Sequence, residues 1–192
     1  MKLLTCLALL LPTALFAQAP IADYNTEREA LTRRGLNVLG GWALANVAGG
    51  TVGALTAEGE AKYFSQMSLG WGAVNLALVA ASRLSKSSSA PTDRPGTVRA
   101  QLATENLFLL NNGLDVAYVA TGFYLLEQAK TQDTPEATAR SRGYGQALLV
   151  QGGFLFLFDG LMYAAHHRHG NRQLYPLLSR LSVGPGSLAV RW

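Results

Sequence analysis

Four stretches of the chain are almost free of charge, and the charged residues gather in the connections between them. The uncharged runs cover residues 35–57, 63–82, 106–126 and 143–165, and a single aspartate interrupts each of the last two. A helix needs about 20 predominantly apolar residues to cross the hydrocarbon core of a bilayer, which is the length of these runs. The pattern therefore predicts four membrane-crossing helices.

Polar residues recur at helical spacing within three of these runs. Residues three, four and seven positions apart lie on one side of a helix, so each run has a polar side and an apolar side. The polar sides contain Ser68, Trp71, Asn75 and Ser82 in the second run, Asn111, Asp115, Tyr118 and Gly122 in the third, and Tyr144, Gln151, Asp159, Tyr163 and His166 in the fourth.

The fourth run also has a continuous apolar side, which we expect to face lipid while the polar side faces the other helices. The residues of this apolar side are Val150, Phe154, Leu157, Phe158 and Leu161.

The predicted fold class is all-α, with four transmembrane helices in an up-down bundle. Residues 85–96, which are rich in Ser and Pro and lack apolar periodicity, form a linker between two helix pairs. Thr26 with Glu29 is a capping-box pattern, and Thr134 before Pro135 is typical of an N-cap followed by a first-turn proline. The helices are predicted at about residues 27–57, 61–83, 98–128 and 136–167.

An exported soluble four-helix bundle is the rival interpretation. Such a bundle exposes a face rich in Glu, Lys and Arg along each helix. Here the connections contain nearly all of the charge, and the helices lack charged faces. The charge pattern therefore favours a membrane bundle.

The two ends of the chain differ from the predicted membrane domain, residues 20–169. Residues 1–19 have Lys2, an apolar core and small residues before Pro20, which is the pattern of a secretory signal peptide; an uncleaved anchor is the alternative. Residues 170–192 form a C-terminal tail in which alternating Leu188, Val190 and Trp192 predict a short hairpin, with a disordered tail as the alternative.

Two signals disagree about the orientation of the helices. A cleaved signal places the mature N-terminus outside, and four crossings return the C-terminus to the same side. That arrangement puts most Arg and Lys residues outside, whereas loops on the cytoplasmic side are normally the basic ones. We favour the exported N-terminus. Only four basic residues would then lie inside, namely Lys62, Lys130, Arg140 and Arg142.

Composition excludes several classes of protein. The net charge of +4 is spread over the connections and is not interleaved with aromatic residues, so we expect no nucleic-acid partner. Cys6 is the only cysteine and lies in the predicted signal, so the mature chain has no disulfide, cysteine metal site or catalytic thiol.

Small residues recur every fourth position in the first predicted helix, at Gly41, Ala45, Gly49 and Gly53. Each glycine in a helix costs about 1 kcal/mol relative to alanine in water. In a membrane, such a strip lets another helix backbone approach closely. A Gly-rich loop or a soluble core helix is the alternative, and we favour close helix packing.

Asp115 and Asp159 are the starting point for any functional hypothesis. An aspartate at mid-bilayer costs about 2.5–3.5 kcal/mol on insertion scales, so it usually faces the bundle interior and has a partner. The first interpretation is structural, with both carboxyls hydrogen-bonded to polar groups of neighbouring helices. The second is a proton or ion path that uses both carboxyls. The candidate buried polar residues are Asp115, Asp159, Asn75, Asn111, Gln151 and Tyr163.

A third interpretation is a membrane enzyme with a metal site built from Asp159 and the histidines His166, His167 and His169. His166 follows Asp159 by two helical turns, about 10 Å along the axis, so one ion cannot bind both without another element. HExxH, phosphate-binding glycine loops and GxSxG are absent from the sequence. We therefore predict interfacial histidines, no assigned metal site, no catalytic residues and no cofactor.

Four strings in these runs resemble an uncharacterised family of bacterial four-helix membrane proteins, a domain of unknown function. They are NVLGGWALANVAGG, GEAKYFSQMSLGWGAVNLAL, NNGLDVAYVATGFYLLE and GYGQALLVQGGFLFLFDGLMYAAHH. The resemblance covers about residues 25–170. It implies the four-helix architecture and assigns no activity and no site residues.

The sequence thus predicts a multi-pass protein of the bacterial inner membrane with a structural or partner-binding role. Its expected partners are the lipid bilayer and either a second copy of the chain or another membrane protein. Proton- or ion-coupled transport through Asp115 and Asp159 is the alternative, and a membrane enzyme comes third.

Overall fold

Long α-helices account for most of the chain. The computed structural model describes the backbone of residues 2–84, 91, 93–184 and 187–190, and the side chains of residues 20–84, 91 and 93–179. The four long helices are α1 (Lys2–Thr56), α2 (Gly59–Leu84), α3 (Arg94–Gln128) and α4 (Pro135–His169). A 3₁₀ turn (Ala129–Thr131), a π-helical turn (Gly170–Leu174), α5 (Tyr175–Arg180), β1 (Leu181–Gly184) and β2 (Ser187–Val190) complete the described elements. The all-α prediction is confirmed.

Local sequence explains two of the helix starts. The Thr134 hydroxyl accepts a hydrogen bond from the backbone N–H of Ala137 at 3.1 Å, and Pro135 opens α4, so the predicted cap is confirmed. At the start of α2, Gly59 has a φ of 56°, in the left-handed region that favours glycine. This glycine allows the sharp reversal between α1 and α2.

Two predicted helix starts are wrong. The capping box at Thr26 and Glu29 does not begin a helix, because α1 already includes these residues and the Thr26 hydroxyl donates to the carbonyl oxygen of Ala22. The third helix begins at Arg94, earlier than the predicted residue 98. Of the predicted linker 85–96, residues 85–90 and 92 lie outside the described residues.

The chain divides into two compact units. We call the first the histidine unit; it contains Met1–Thr32, Ser87–Asn106 and Tyr163–Trp192. We call the second the carboxylate unit; it contains Arg33–Lys86 and Leu107–Met162.

The carboxylate unit is a bundle of four helical segments packed through glycines. A Cβ added at Gly50 of α1 would lie 2.6 Å from the backbone nitrogen of Leu69 in α2. A Cβ added at Gly122 of α3 would lie 2.9 Å from the backbone oxygen of Gly145 in α4. Only a residue without a Cβ permits these backbone approaches.

The carboxylate unit buries several polar residues and exposes many large apolar ones. Asp115, Asn75 and Gln151 are only 2%, 3% and 1% exposed. Leu55 and Leu110 are 80% and 64% exposed. Large apolar residues with more than two-fifths of their surface exposed occur in all four segments, at Val38, Leu44, Val52, Val74, Leu78, Leu107, Leu109, Leu114, Val116, Phe123, Val150, Phe156, Leu157 and Leu161.

The histidine unit buries a mixed core. Ile21, Tyr24 and Leu174 are its buried apolar residues. In its C-terminal part, β1 and β2 pair as antiparallel strands, with Leu181 opposite Val190. Trp192, which the sequence placed in a hairpin, lies outside the described residues.

Two helical stretches, Pro20–Thr56 and Pro135–Ser179, are long and apolar enough to cross a membrane by length and composition. The sequence predicts four such helices, but among the described residues α2 and α3 are not apolar enough to count as membrane spans. The buried sides of α2 and α3 contain polar residues such as Asn75 and Asp115. A polar side lowers the mean hydropathy of the whole helix even when the opposite side is apolar.

The glycine contact between α3 and α4 leads to a stability prediction. Gly122→Ala should destabilise the protein by about 1–3 kcal/mol, because the new methyl group meets a backbone oxygen that cannot move aside. Gly113→Ala on the same helix is the matched control, since a Cβ there meets no described atom within 4 Å. The control should be neutral or up to about 1 kcal/mol more stable. The free energy of unfolding of both variants can be measured in mixed detergent micelles. Equal values for the two variants would contradict this packing.

Candidate functional site

The carboxyl groups of Asp115 and Asp159 lie together inside the carboxylate unit. They line one cavity together with Asn111. Asp115 belongs to α3 and Asp159 to α4, so the cavity brings together acidic groups of two helices. The two residues are only 2% and 5% exposed.

A cavity of about 110 Å³ adjoins this pair. It brings together four of the predicted buried polar residues, Asp115, Asp159, Asn75 and Asn111. Asp115 Oδ2 and Asn75 Nδ2 are buried and have no hydrogen-bond partner among the described residues. The polar residues that line the cavity are Trp71, Asn75, Asn111, Asp115, Tyr118 and Asp159.

Helix geometry explains why these side chains meet. Asn111 and Asp115 are one turn apart on α3, so they face the same side. Gly152 lets α4 approach α3, since a Cβ there would lie 3.2 Å from the carbonyl oxygen of Asp115. The Asn112 side chain also donates to the carbonyl oxygen of Phe156 at 2.6 Å, which holds α3 and α4 in register.

Gln151 forms a separate polar contact in the same unit. Its side-chain oxygen accepts from Trp42 Nε1 at 2.9 Å, and its amide nitrogen donates to Asn46 Oδ1 at 2.5 Å. Gln151 thus links α4 to α1 and is not part of the carboxyl cavity. The sequence predicted the buried glutamine but not its partners, because neither Trp42 nor Asn46 is charged or part of a polar repeat.

The predicted lipid-facing side of α4 is only partly exposed. Val150, Leu157 and Leu161 are exposed. Phe154 instead stacks on Trp42 with ring centroids 4.0 Å apart, and Phe158 packs edge-on against Phe108 at 6.5 Å. The sequence predicts that both phenylalanines face lipid, but both are half-buried because their rings reach α1 and α3.

The residues of the predicted packing strip on α1 differ in whether they pack against another helix or face outward. A Cβ at Gly53 would clash with the Ser65 side chain, so Gly53 packs against α2. Gly41 and Gly49 are exposed and a Cβ at either meets no described atom within 4 Å, and Ala45 is also exposed. Three of the four strip residues therefore face outward, and other glycines form most of the close contacts inside the unit.

The three histidines and Tyr163 lie in the histidine unit, each in a different environment. His166 is fully buried and its Nε2 lies 3.4 Å from the Thr32 hydroxyl. His167 lies 3.2 Å from a carboxyl oxygen of Glu105 and stacks on Tyr163. His169 stacks on Tyr24 with ring centroids 4.6 Å apart. Tyr163 therefore contributes to this unit and not to the carboxyl cavity.

Within the part of the chain that the structure describes, no three His, Cys, Asp or Glu side chains are grouped so that they could hold a metal ion.

A buried hydrogen-bond chain in the histidine unit was not predicted. The Tyr24 hydroxyl donates to Gln101 Oε1 at 2.6 Å, and Gln101 Nε2 donates to Glu105 Oε1 at 2.6 Å and to the carbonyl oxygen of His166 at 2.8 Å. Gln101 and Glu105 are four residues apart and therefore lie on the same side of α3. This spacing is a usable signal, but both residues precede the uncharged run that begins at residue 106.

The family described as "Family of unknown function (DUF6992)" matches residues 38–160 of the chain, which is more than half of it and includes the whole carboxyl cavity. Comparisons with curated proteins and with solved structures find no match. The chain therefore belongs to the DUF6992 family, a family of unknown function.

Proposed function

We propose that this chain is a polytopic integral membrane protein that acts as a structural or partner-binding element. In this proposal all four long helices cross the bilayer. The observation that supports it best is the set of exposed apolar and buried polar residues in the carboxylate unit, where Leu110 is 64% exposed and Asp115 on the same helix is 2% exposed. Exposed apolar residues over so many positions are typical of a lipid-facing surface and not of a soluble monomer.

The proposal includes α2 and α3 although their mean hydropathy is lower. A helix inside a membrane bundle needs apolar residues only on the side that meets lipid. On α3 the exposed side has Leu107, Leu114 and Phe123, and the buried side has Asp115. Polar residues that face the bundle interior are the arrangement that the bilayer tolerates.

We place the protein in the inner membrane of a bacterium with its N-terminus exported, since residues 1–19 have the pattern of a signal. The basic residues near the ends of the helices favour the opposite orientation. Orientation is therefore part of the test.

Membrane placement predicts that the expressed chain stays in the pellet when membranes are washed with alkaline carbonate, because lipid covers its apolar surface. Reporter fusions measure the orientation, one near Glu58 and one at the C-terminus. The C-terminal fusion should be active outside the cytoplasm and the Glu58 fusion inside. Release of the chain by carbonate would contradict the membrane placement. A C-terminal fusion active only in the cytoplasm would reverse the orientation alone.

The outward strip of Gly41, Ala45 and Gly49 supports the partner-binding role. Small residues at four-residue spacing let two membrane helices approach until their backbones touch. We propose a second copy of this chain as the partner, since the strip is flat and flanked by exposed Val38 and Val52, which suit an identical apolar surface.

Replacing Gly41 and Gly49 with leucine should abolish self-association in detergent, because the side chains hold the two backbones apart. Gly113→Leu is the matched control, as Gly113 is also exposed but lies on α3. Cross-linking or single-molecule subunit counting in bilayers reads the oligomeric state. An unchanged oligomeric state in the double variant would refute this interface.

Proton- or ion-coupled transport is the second candidate. It is favoured by the buried carboxyl groups of Asp115 and Asp159, which line one cavity, because two neighbouring carboxyls inside a membrane bundle can accept and release a proton. A purely structural pair needs no adjoining cavity.

If the pair conducts protons, Asp115→Asn with Asp159→Asn should reduce proton flux into proteoliposomes to the level of protein-free liposomes. The amide side chains keep the shape of the site but cannot exchange a proton. Asp133→Asn, the same change at an exposed position between α3 and α4, should leave the flux unchanged. A pH-sensitive dye under an imposed potential gives the flux, and equal flux for wild type and double variant counts against this candidate.

A further inference from the structure

An apolar groove lies on the outer surface of the carboxylate unit, lined by residues of α2 together with Tyr118 of α3 and Tyr144 of α4. Its volume is about 480 Å³, and Met67, Val74, Trp71 and Tyr118 are among the residues that line it. Val74 is 52% exposed, so the groove opens to the surroundings of the bundle. At roughly 30 Å³ per water-sized group, the groove has room for an alkyl chain of about a dozen carbons or more.

The groove adjoins the carboxyl cavity. Trp71 and Tyr118 line both spaces. Their rings meet at 4.6 Å between centroids with an interplanar angle of 65°, so this ring pair stands between the groove and the cavity. A molecule with one end in the cavity and the other in the groove would pass beside these two rings.

The inner end of this path has two unpaired polar atoms. Asp115 Oδ2 can accept a hydrogen bond and Asn75 Nδ2 can donate one, and neither has a partner within the described residues. Both side chains are more than nine-tenths buried. A buried polar group without a partner is destabilising, so a ligand that pairs with both atoms would bind favourably.

A hydroxyl group satisfies both atoms at once, since it donates one hydrogen bond and accepts others. An ammonium group only donates and would leave Asn75 Nδ2 unpaired. The cavity of about 110 Å³ holds roughly four water-sized groups, which fits a hydroxyl with its first carbons and is too small for a glycerophosphate head.

We infer that the carboxylate unit binds a lipid alcohol, that is, a long-chain amphiphile whose hydroxyl group lies between Asp115 and Asn75 and whose alkyl chain occupies the groove. This inference rests on the proposed membrane placement, because the bilayer supplies the ligand and the groove opens toward it. It adds a ligand class that neither the partner-binding role nor ion transport requires.

Photolabelling of the purified full-length protein in detergent tests the site directly. The probe is a dodecanol with a diazirine in its chain, and the matched probe is the corresponding dodecane without the hydroxyl. Mass spectrometry should find the alcohol probe attached to groove residues such as Met67 and Val74. Excess 1-dodecanol should compete with it, and dodecane should not.

Two variants separate the head-group contacts from simple partitioning into the groove. Asn75→Leu and Asp115→Leu should each lower labelling by the alcohol probe on the order of tenfold, the loss expected for one buried hydrogen bond. Ser68→Ala is the matched control on α2, because Ser68 Oγ is also buried and unpaired among the described residues but does not line the cavity. Labelling of the control should equal that of the wild type.

Equal labelling by the two probes, or competition by dodecane as strong as by 1-dodecanol, would overturn the inference. Unchanged labelling in both leucine variants would do the same. If either variant does not fold, the competition on the wild-type protein still decides. Failure of the ligand inference can be distinguished from failure of the membrane placement, because a chain that carbonate releases from membranes can still be purified and labelled.

Discussion

Polar side chains that are removed from water need partners inside the protein, and the carboxylate unit brings such side chains together between helices. Asp115 and Asp159 line one cavity with Asn75 and Asn111. Gln151, another buried amide, links α4 to Trp42 and Asn46 of α1. Since a polar group facing hydrocarbon costs several kcal/mol, these residues would determine which side of each helix faces inward in the proposed membrane bundle.

Glycines make these contacts possible because they bring the helix backbones close together. Gly122 and Gly145 face each other across α3 and α4, and Gly152 lies against the same stretch of α3 that contains Asp115. Short side chains such as aspartate and asparagine can then reach across the gap. In a bilayer, where helices gain little from burying apolar surface, close packing and hydrogen bonds are the main sources of association.

The pattern of apolar residues predicted four long helices, which the structure contains, although two of the predicted starts are wrong. Helical spacing placed Asn75, Asn111, Asp115 and Asp159 on inner sides, and they meet at one cavity. Spacing within one helix says nothing about which residues of other helices are opposite, so the Gln151 partners and the buried chain from Tyr24 to Glu105 were not found. The strip on α1 shows the same limit, because four-residue spacing identifies a close-packing surface but not the helix that uses it.

The helix starts show a second limit. Thr134 is a true cap because its side chain bonds to the first turn of α4. Thr26 has the same local pattern, but α1 continues through it and its hydroxyl bonds backward to Ala22. A capping residue can satisfy either a free N–H group or a carbonyl oxygen of the preceding turn, and the local sequence does not distinguish the two.

The proposed membrane bundle depends most on the exposed apolar side of α3, because the composition of this helix alone does not mark it as a membrane span. Spin labels at Leu110 on α3, Leu157 on α4 and Lys130 in the connection, each introduced in a background without Cys6, can be compared in reconstituted bilayers. In a membrane bundle, oxygen should relax the labels at Leu110 and Leu157 more than a water-soluble nickel complex does, with the reverse at Lys130. A label at Leu110 that the nickel complex reaches as readily as the label at Lys130 would show that α3 faces water and would contradict the membrane bundle.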